Sequence, residues 1–304
     1  MPLGFDDRVV IITGAGNGLG RNHALAFAAR GARVVVNDLG GSGRGDGTDA
    51  SVAEAVAREI RALGGEAIAN TDNVVEGARM VEQAMDVYGR VDVLVNNAGI
   101  LRDATFHKMS DDQWAGVYET HLLGAYRTTH AAWPHMRAAG YGRIIMTTSS
   151  AGLYGNFGQA NYSAAKMGLV GLAATLSIEG RSRGILTNTI APVAASRLTA
   201  GVMPPAILDR ILPEYVTPLV ELLAHESWRE SGGIYEAGGG WIAKVRLEQS
   251  RGAVFALDAL SAESIAERWD EIASFKDAQY PTSTMESLQK MGERTGFTIG
   301  LAVQ

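Results

Sequence analysis

A doubly wound, largely parallel α/β sheet is the fold this sequence predicts. Three observations carry the prediction. Short β-branched runs alternate with helical patterns over the first hundred residues, a glycine-rich turn joins the first strand to the first helix, and the alternation continues to about residue 240. In chain order, Val9 to Ile12 reads as a strand, Leu19 to Arg30 as a helix and Arg33 to Val36 as a strand. Asp49 to Leu63 follows as a helix, Glu66 to Ala69 as a strand, Glu76 to Tyr88 as a helix and Val91 to Val95 as a strand. Asp111 to Arg137 is expected to be one long helix, capped by Ser110 or Asp111. Arg143 to Thr147 (strand), Asn161 to Ile178 (helix), Ile185 to Ile190 (strand) and a last strand around Ile234–Tyr235 complete seven strands, all buried in character.

Two stretches break this rhythm. Gly40 to Gly47 reads as a mobile loop or as an inert linker. Arg197 to Tyr215 holds Pro204, Pro205 and Pro213, and long irregular segments in compact domains are often lids. The chain is expected to divide into a catalytic domain, residues 1–245, and a C-terminal helical extension, residues 246–304. In the extension Ile265, Trp269, Ile272 and Phe275 give one apolar stripe on a helix expected over Ser261 to Phe275. That stripe is expected to pack on the domain or on a partner subunit, or to cover substrate.

Composition narrows the function. The 304 residues are 46% hydrophobic, enough for a large core, and carry a net charge of −6. An acidic chain is a poor binder of nucleic acid or of anionic membrane, since both need a basic surface. Without a single cysteine, thiolate metal sites, disulfides and cysteine nucleophiles are excluded, and no metal site is expected. The N-terminal MPLGFDDRVV lacks the pattern of a signal peptide, and no apolar run reaches the roughly 20 residues of a membrane span. The final Leu-Ala-Val-Gln is not a lipidation or peroxisomal address. A cytoplasmic location is the expectation.

The first chemical signal is Thr13-Gly14-Ala15-Gly16-Asn17-Gly18-Leu19-Gly20, a TGxxxGxG pattern between strand and helix. Backbone N–H groups at a helix N-terminus bind pyrophosphate, and glycine lets the phosphates approach. Gly14, Asn17, Gly18, Leu19 and Gly20 are the candidate contacts in a Rossmann-type site. Asp38 ends the second strand, eighteen residues after Gly20. A carboxylate there accepts from the adenosine ribose hydroxyls and repels a 2′-phosphate, which favours NAD over NADP. Asp72 and Asn73, after the third strand, could reach the adenine or merely form an Asx turn. Asn96-Asn97-Ala98-Gly99 closes the fourth strand at the ligand-binding edge of the sheet, so Asn97, Ala98 and Gly99 are expected to line the cofactor.

The second signal is Tyr162 and Lys166, four residues apart on one helical face. Tyrosine has an ordinary pKa of about 10. A nearby ammonium and a positively charged nicotinamide are expected to favour the phenolate and make Tyr162 a base, with Lys166 also holding the nicotinamide ribose. Ser149 ends the fifth strand, thirteen residues before Tyr162, and could hydrogen-bond a substrate oxygen; Ser150 competes for that role.

Together TGxxxGxG, NNAG, the strand-end serine and YxxxK resemble the short-chain dehydrogenase/reductase family, over roughly residues 8 to 240. The resemblance implies that Tyr162 is the acid/base, that Lys166 supports it and that Ser149 positions substrate. There are two departures. His121, in Thr120-His121-Leu122-Leu123-Gly124, stands where the family usually has a relay asparagine, and Ala191-Pro192-Val193 replaces its Pro-Gly beside the nicotinamide. Pro192 is still expected to contribute backbone.

Within the family, several stretches are similar to the (3R)-hydroxyacyl-CoA dehydrogenase units of peroxisomal multifunctional enzymes. They include Val36-Asn37-Asp38-Leu39-Gly40-Gly41, Tyr154-Gly155-Asn156-Phe157-Gly158-Gln159-Ala160-Asn161-Tyr162-Ser163 and Gly239-Gly240-Trp241-Ile242-Ala243-Lys244. His121 resembles the usual residue of that subgroup. What this implies is NAD-dependent oxidation of a (3R)-3-hydroxyacyl-CoA by a stand-alone dehydrogenase, a homodimer or homotetramer pairing through its long helices. Arg102, Arg197, Lys244 and Arg246 are candidate cations for the CoA phosphates. Another apolar alcohol, such as a steroid, is the alternative substrate, and a non-catalytic NAD-binding protein is the third reading.

Overall fold

The computed structural model describes residues 3–195 and 204–296. The chain divides into two compact units, Met1–Lys244 and Val245–Gln304. The first unit begins β1 (Val9–Thr13), α1 (Gly18–Ala29), β2 (Arg33–Asn37), α2 (Ala50–Ala62), β3 (Glu66–Asn70), α3 (Gly77–Tyr88) and β4 (Val93–Asn96). It continues with α4 (Asp111–Tyr118), α5 (Gly124–Ala139), β5 (Gly142–Thr147), α6 (Ser150–Tyr154), α7 (Ala160–Gly180) and β6 (Ile185–Pro192). Helices α8 (Pro205–Leu208) and α9 (Thr217–Ala224) precede β7 (Ile234–Gly238) and β8 (Trp241–Val245).

The sheet order is β3-β2-β1-β4-β5-β6-β7-β8. Every pairing from β3 through β7 is parallel. The order reverses between β1 and β4, so a crevice opens at the carboxyl ends of those strands. Residues alternate across the sheet, as a pleated strand requires. Val10, Ile12, Val34 and Val36 pack into one core layer, while Val9, Ile11 and Val35 pack into the other. Burial on both faces is why these strands read as continuous apolar runs.

Three expectations are corrected. The sheet has eight strands among the described residues, not seven. Gly239 and Gly240, both at positive φ, turn the chain in two residues, and so tight a connection returns only an antiparallel neighbour. The helix expected over Asp111 to Arg137 continues to Ala139 but contains a π-helical turn, Glu119–Leu123, which carries His121. Gly40 to Gly47 is not an inert linker: Asp49 N donates to Leu39 O at 3.0 Å, and Leu101 N donates to Gly43 O at 2.9 Å.

In the second unit the helix expected over Ser261 to Phe275 is two short ones, α10 (Ala262–Glu267) and α11 (Trp269–Ile272), before α12 (Thr284–Thr295). Arg268 breaks it, with φ −105° and ψ 17°. Its guanidinium bonds Glu271 and Val254 O and lies over Phe255. Trp269 and Phe275 of the expected stripe are exposed. No described helix is long and apolar enough to cross a membrane.

Candidate active site

One cleft of about 570 Å³ is lined by every residue singled out above as catalytic or cofactor-binding. It lies along the carboxyl ends of the parallel strands, at the reversal of strand order. Arg197 lies outside the described residues, as does the first part of the segment Arg197 to Tyr215.

At one end sits the glycine turn. Gly14 has φ +64°, and a Cβ there would lie 2.8 Å from Ala98 Cα. A side chain on Gly20 would meet the Gly14 carbonyl and, at 2.6 Å, Asn97 Nδ2. These positions are glycine because β1, α1 and the exit of β4 converge there. Asn97 stitches the convergence: Nδ2 donates to Thr13 O at 3.0 Å and Gly14 O at 3.1 Å. Thr13 Oγ1 accepts from Asn97 N and Ala98 N. Thr13 had no role assigned from sequence; its place as the last residue of a strand facing NNAG was the available signal.

Asn17 is the N-cap of α1 but makes no side-chain cap, and the first turn holds no acid. The orphan amides of that turn can therefore take an anion. Asp38 is 8% exposed and holds two backbone donors, Gly16 N at 2.8 Å and Gly40 N at 2.7 Å. Each carboxylate oxygen keeps a lone pair for a ribose hydroxyl. Asn73 caps the following turn by accepting from Val75 N, as the Asx alternative required. Asp72 accepts from Asn70 Nδ2 at 2.8 Å, and its carbonyl accepts from Asn37 Nδ2 at 2.9 Å. Asn37 and Asn70 thus fix this corner, though the sequence reading passed over both. The glycine cradle, the uncapped helix end and the acceptor-bearing Asp38 fit a dinucleotide.

At the other end, Ser149 caps α6 by accepting from Ala151 N, and its hydroxyl is near enough to the Tyr162 phenol to favour the phenolate. That proximity favours Ser149 over Ser150 for the substrate oxygen. Lys166 is 3% exposed; its Nζ donates to Thr147 O at 2.6 Å and lies 5.5 Å from the Tyr162 ring centre. Thr148 Oγ1 donates to Lys166 O at 2.6 Å, which fixes α7 against the end of β5. Burial lowers the lysine to about 7. Burial also raises the Tyr162 phenol, with Asp103 adding to the rise and the Ser149 hydroxyl opposing it. The expected lowering of the phenol is therefore not supplied by the protein alone, because desolvation outweighs the neighbouring groups.

His121 is buried, its ring edge-on to Tyr162 at 5.1 Å between centres. Nε2 lies 3.0 Å from Ile100 N and 2.8 Å from Ile100 O, while Nδ1 is buried with no partner among the described residues. Burial, then the charge of Lys166, holds the imidazole well below its ordinary value. Pro192 ends β6 and lines the cleft, with Val193 N bonded to Ala237 O. Arg102 lines the cleft but is held by Arg44 O and Asp112 O. Lys244 pairs with Glu230 at 2.7 Å, and Arg246 lies in the second unit over Tyr280.

The chain matches the short chain dehydrogenase family over residues 8–201. Peroxisomal multifunctional enzyme A of Dictyostelium discoideum is 56% identical over 288 residues, 95% of this chain and 65% of that protein. The solved structure of full-length peroxisomal multifunctional enzyme type 2 from Drosophila melanogaster is similar at a TM-score of 0.82 and 39% identity, over 96% of this chain and 50% of that one. A 7 alpha-hydroxysteroid dehydrogenase complexed with NADH and 7-oxo glycochenodeoxycholic acid is similar at a TM-score of 0.70 and 29% identity, over 78% of this chain and 95% of that one. The chain thus spans less than two thirds of the length of these multifunctional relatives. On the matched span, with its glycine cradle and its Ser149, Tyr162 and Lys166 cluster, this chain belongs to the short chain dehydrogenase family.

Proposed function

We propose that the chain oxidises (3R)-3-hydroxyacyl-CoA thioesters to 3-ketoacyl-CoA, with NAD as cofactor, and that residues 1–245 carry the catalysis. The observation behind this reading is the gathering of Ser149, Tyr162 and Lys166 in the same cleft as the uncapped N-terminus of α1. The substrate class is the one implied by the sequence resemblance to (3R)-hydroxyacyl-CoA dehydrogenase units, and the relatives named peroxisomal multifunctional enzymes support it.

In this mechanism Gly14, Gly18, Gly20 and the amides of α1 seat the pyrophosphate, and Asp38 accepts from the adenosine ribose. A bound oxidised nicotinamide supplies the hydride acceptor and a positive charge. Ser149 Oγ and Tyr162 Oη hold the 3-hydroxyl oxygen, and Tyr162 Oη takes its proton as the C3 hydride departs. Lys166 orients the site from Thr147 and contributes its charge when protonated. Asp38 beside the ribose favours NAD over its 2′-phosphorylated form. A homodimer or homotetramer through α4, α5 and α7 is part of the proposal, tested by light scattering.

The decisive experiment follows NADH formation over a panel of (3R)-3-hydroxyacyl-CoA thioesters, short-chain to steroidal, beside free steroid alcohols. Turnover of the thioesters with inert free alcohols supports the reading. The reverse pattern replaces it with a hydroxysteroid activity, for which the 29% identical 7 alpha-hydroxysteroid dehydrogenase is the supporting similarity. Tight NAD binding without turnover of either class would mark a non-catalytic protein. The cytoplasmic location expected from sequence is likewise proposed, against the peroxisomal names of the relatives; a fluorescent fusion of the natural gene product decides between them.

A further inference from the structure

We propose that the loop between β2 and α2 is a strap over the dinucleotide crevice, latched by Arg102, and that its opening sets the rate of dinucleotide exchange. The proposal rests on dinucleotide binding in this cleft and not on the identity of the alcohol.

Topology supplies the first argument. β2 and β4 flank β1 in the sheet. Any contact between the loop after β2 and the loop after β4 must pass across the carboxyl end of β1, where the glycine turn lies. Such contacts exist. Leu101 N donates to Gly43 O at 2.9 Å, and Arg102 Nε donates to Arg44 O at 2.9 Å. Arg102 Nη2 also lies 3.9 Å from Asp46 Oδ1. Gly43, Gly45, Leu101 and Arg102 all line the same cleft as the glycine turn and Asp38.

The strap is built to move as one piece. Its ends are tied, Asp49 N to Leu39 O at 3.0 Å, and its tip is bonded to itself. Ser42 N donates to Asp46 O at 2.8 Å, Gly45 N donates to Ser42 O at 2.9 Å, and Ser42 Oγ accepts from Arg44 N and Asp46 N. This is an Ω-type loop, compact on its own account. Gly40 and Gly47 at its two ends have φ of +77° and +78°, a region open to glycine at no steric cost. The latch, among the described residues, includes two hydrogen bonds and one long ion pair. Breaking contacts of this kind falls at the low end of local unfolding costs, within reach during turnover.

Arg102 itself is anchored, with Nη1 donating to Asp112 O at 3.3 Å and lying against Gly116 of α4. It therefore acts from the α4 side and reaches across to the strap. Lysine cannot substitute, because one ammonium cannot replace the guanidinium fork that spans these partners.

The test reads cofactor exchange without substrate. NADH dissociation from the full chain is followed by stopped-flow fluorescence, chasing with excess NAD. Arg102→Ala and Arg102→Lys should both release NADH about tenfold faster or more, the loss expected for one charged hydrogen bond. A second experiment uses the cysteine-free background. Gly43→Cys with Leu101→Cys places two thiols on residues already joined through their backbones. Oxidation should slow both entry and exit of NADH at least a hundredfold, and dithiothreitol should restore them. NADH release unchanged in the arginine variants, or an oxidised double-cysteine protein that exchanges NADH freely, overturns the proposal. Failure of the unmodified chain to bind NADH at all would instead strike the site assignment itself.

Discussion

Replacing Lys166 with methionine should abolish activity yet stabilise the ligand-free protein, by an amount that shrinks as pH rises. Burial takes this amine from 10.5 to about 7 in the folded chain. Below pH 7 it is protonated in both states, and the folded state carries the full cost of the buried charge. The interval from 10.5 to about 7 corresponds to on the order of 5 kcal/mol. Between those two values the unfolded chain binds the extra proton, so wild-type stability climbs with pH and the penalty is gone above 10.5. Methionine matches the stem and carries no charge. It also deletes the donor to Thr147 O at 2.6 Å, a loss of about 1–3 kcal/mol. The net expectation at pH 6 is a gain of about 2–4 kcal/mol, or roughly 5–10 °C in melting temperature for a chain of this size. By pH 9 the gain should have fallen by about 2–3 kcal/mol. Paired calorimetric scans of both proteins at pH 6, 7.5 and 9 measure it. A difference that is flat with pH, or that grows with pH, would refute a buried ammonium at this position.

Two other substitutions address the ends of the cleft separately. Tyr162→Phe should lower kcat by about a thousandfold or more and leave NADH affinity within a few-fold, measured by fluorescence titration beside the turnover assay; substantial residual turnover would assign the proton transfer elsewhere. Asp38→Ala removes the acceptor for Gly16 N and Gly40 N, so NADH affinity should fall about tenfold or more while the preference over NADPH narrows. An unchanged ratio of the two affinities would show that the carboxylate does not select the cofactor.

The parallel sheet was legible because strands buried on both faces are written as uninterrupted β-branched runs. β8 was not legible, since Trp241, Ile242 and Lys244 are exposed at a sheet edge and no buried face marks the strand. The latch of the strap was not legible for a related reason. Its acceptors are the carbonyls of Gly43 and Arg44, and every residue carries a carbonyl. Periodicity also misled in the second unit. The stripe Ile265, Trp269, Ile272 and Phe275 fits a helix, but Arg268 ends the first turns to reach Val254 O and Phe255, partners far away in sequence. In the site itself, identity was readable and energetics were not. Spacing puts Tyr162 and Lys166 on one face, but only the packed structure reveals that burial raises the phenol and lowers the amine.

That burial also bears on His121, the residue that departs from the family's relay asparagine. A relay histidine must gain and lose protons near working pH. This one is held neutral by burial and by the charge of Lys166, and its Nε2 is engaged with the Ile100 backbone. Only Nδ1 remains for a second proton, and it is buried without a partner among the described residues, where imidazolium would be uncompensated. Its packing role is firmer. The ring stands edge-on to Tyr162 and fills the space against Gly99, so close that a Cβ on that glycine would overlap Cε1. The π-helical turn at Glu119–Leu123 puts the ring there by rotating the helix register locally. His121→Asn keeps an amide for Ile100 and loses the ring face. It should reduce kcat by less than about tenfold and leave the shape of the kcat–pH profile unchanged, because no titrating proton carrier has been removed. Disappearance of one limb of that profile in the variant would instead establish proton transfer through the imidazole, and the neutral, packed histidine argued here would be wrong.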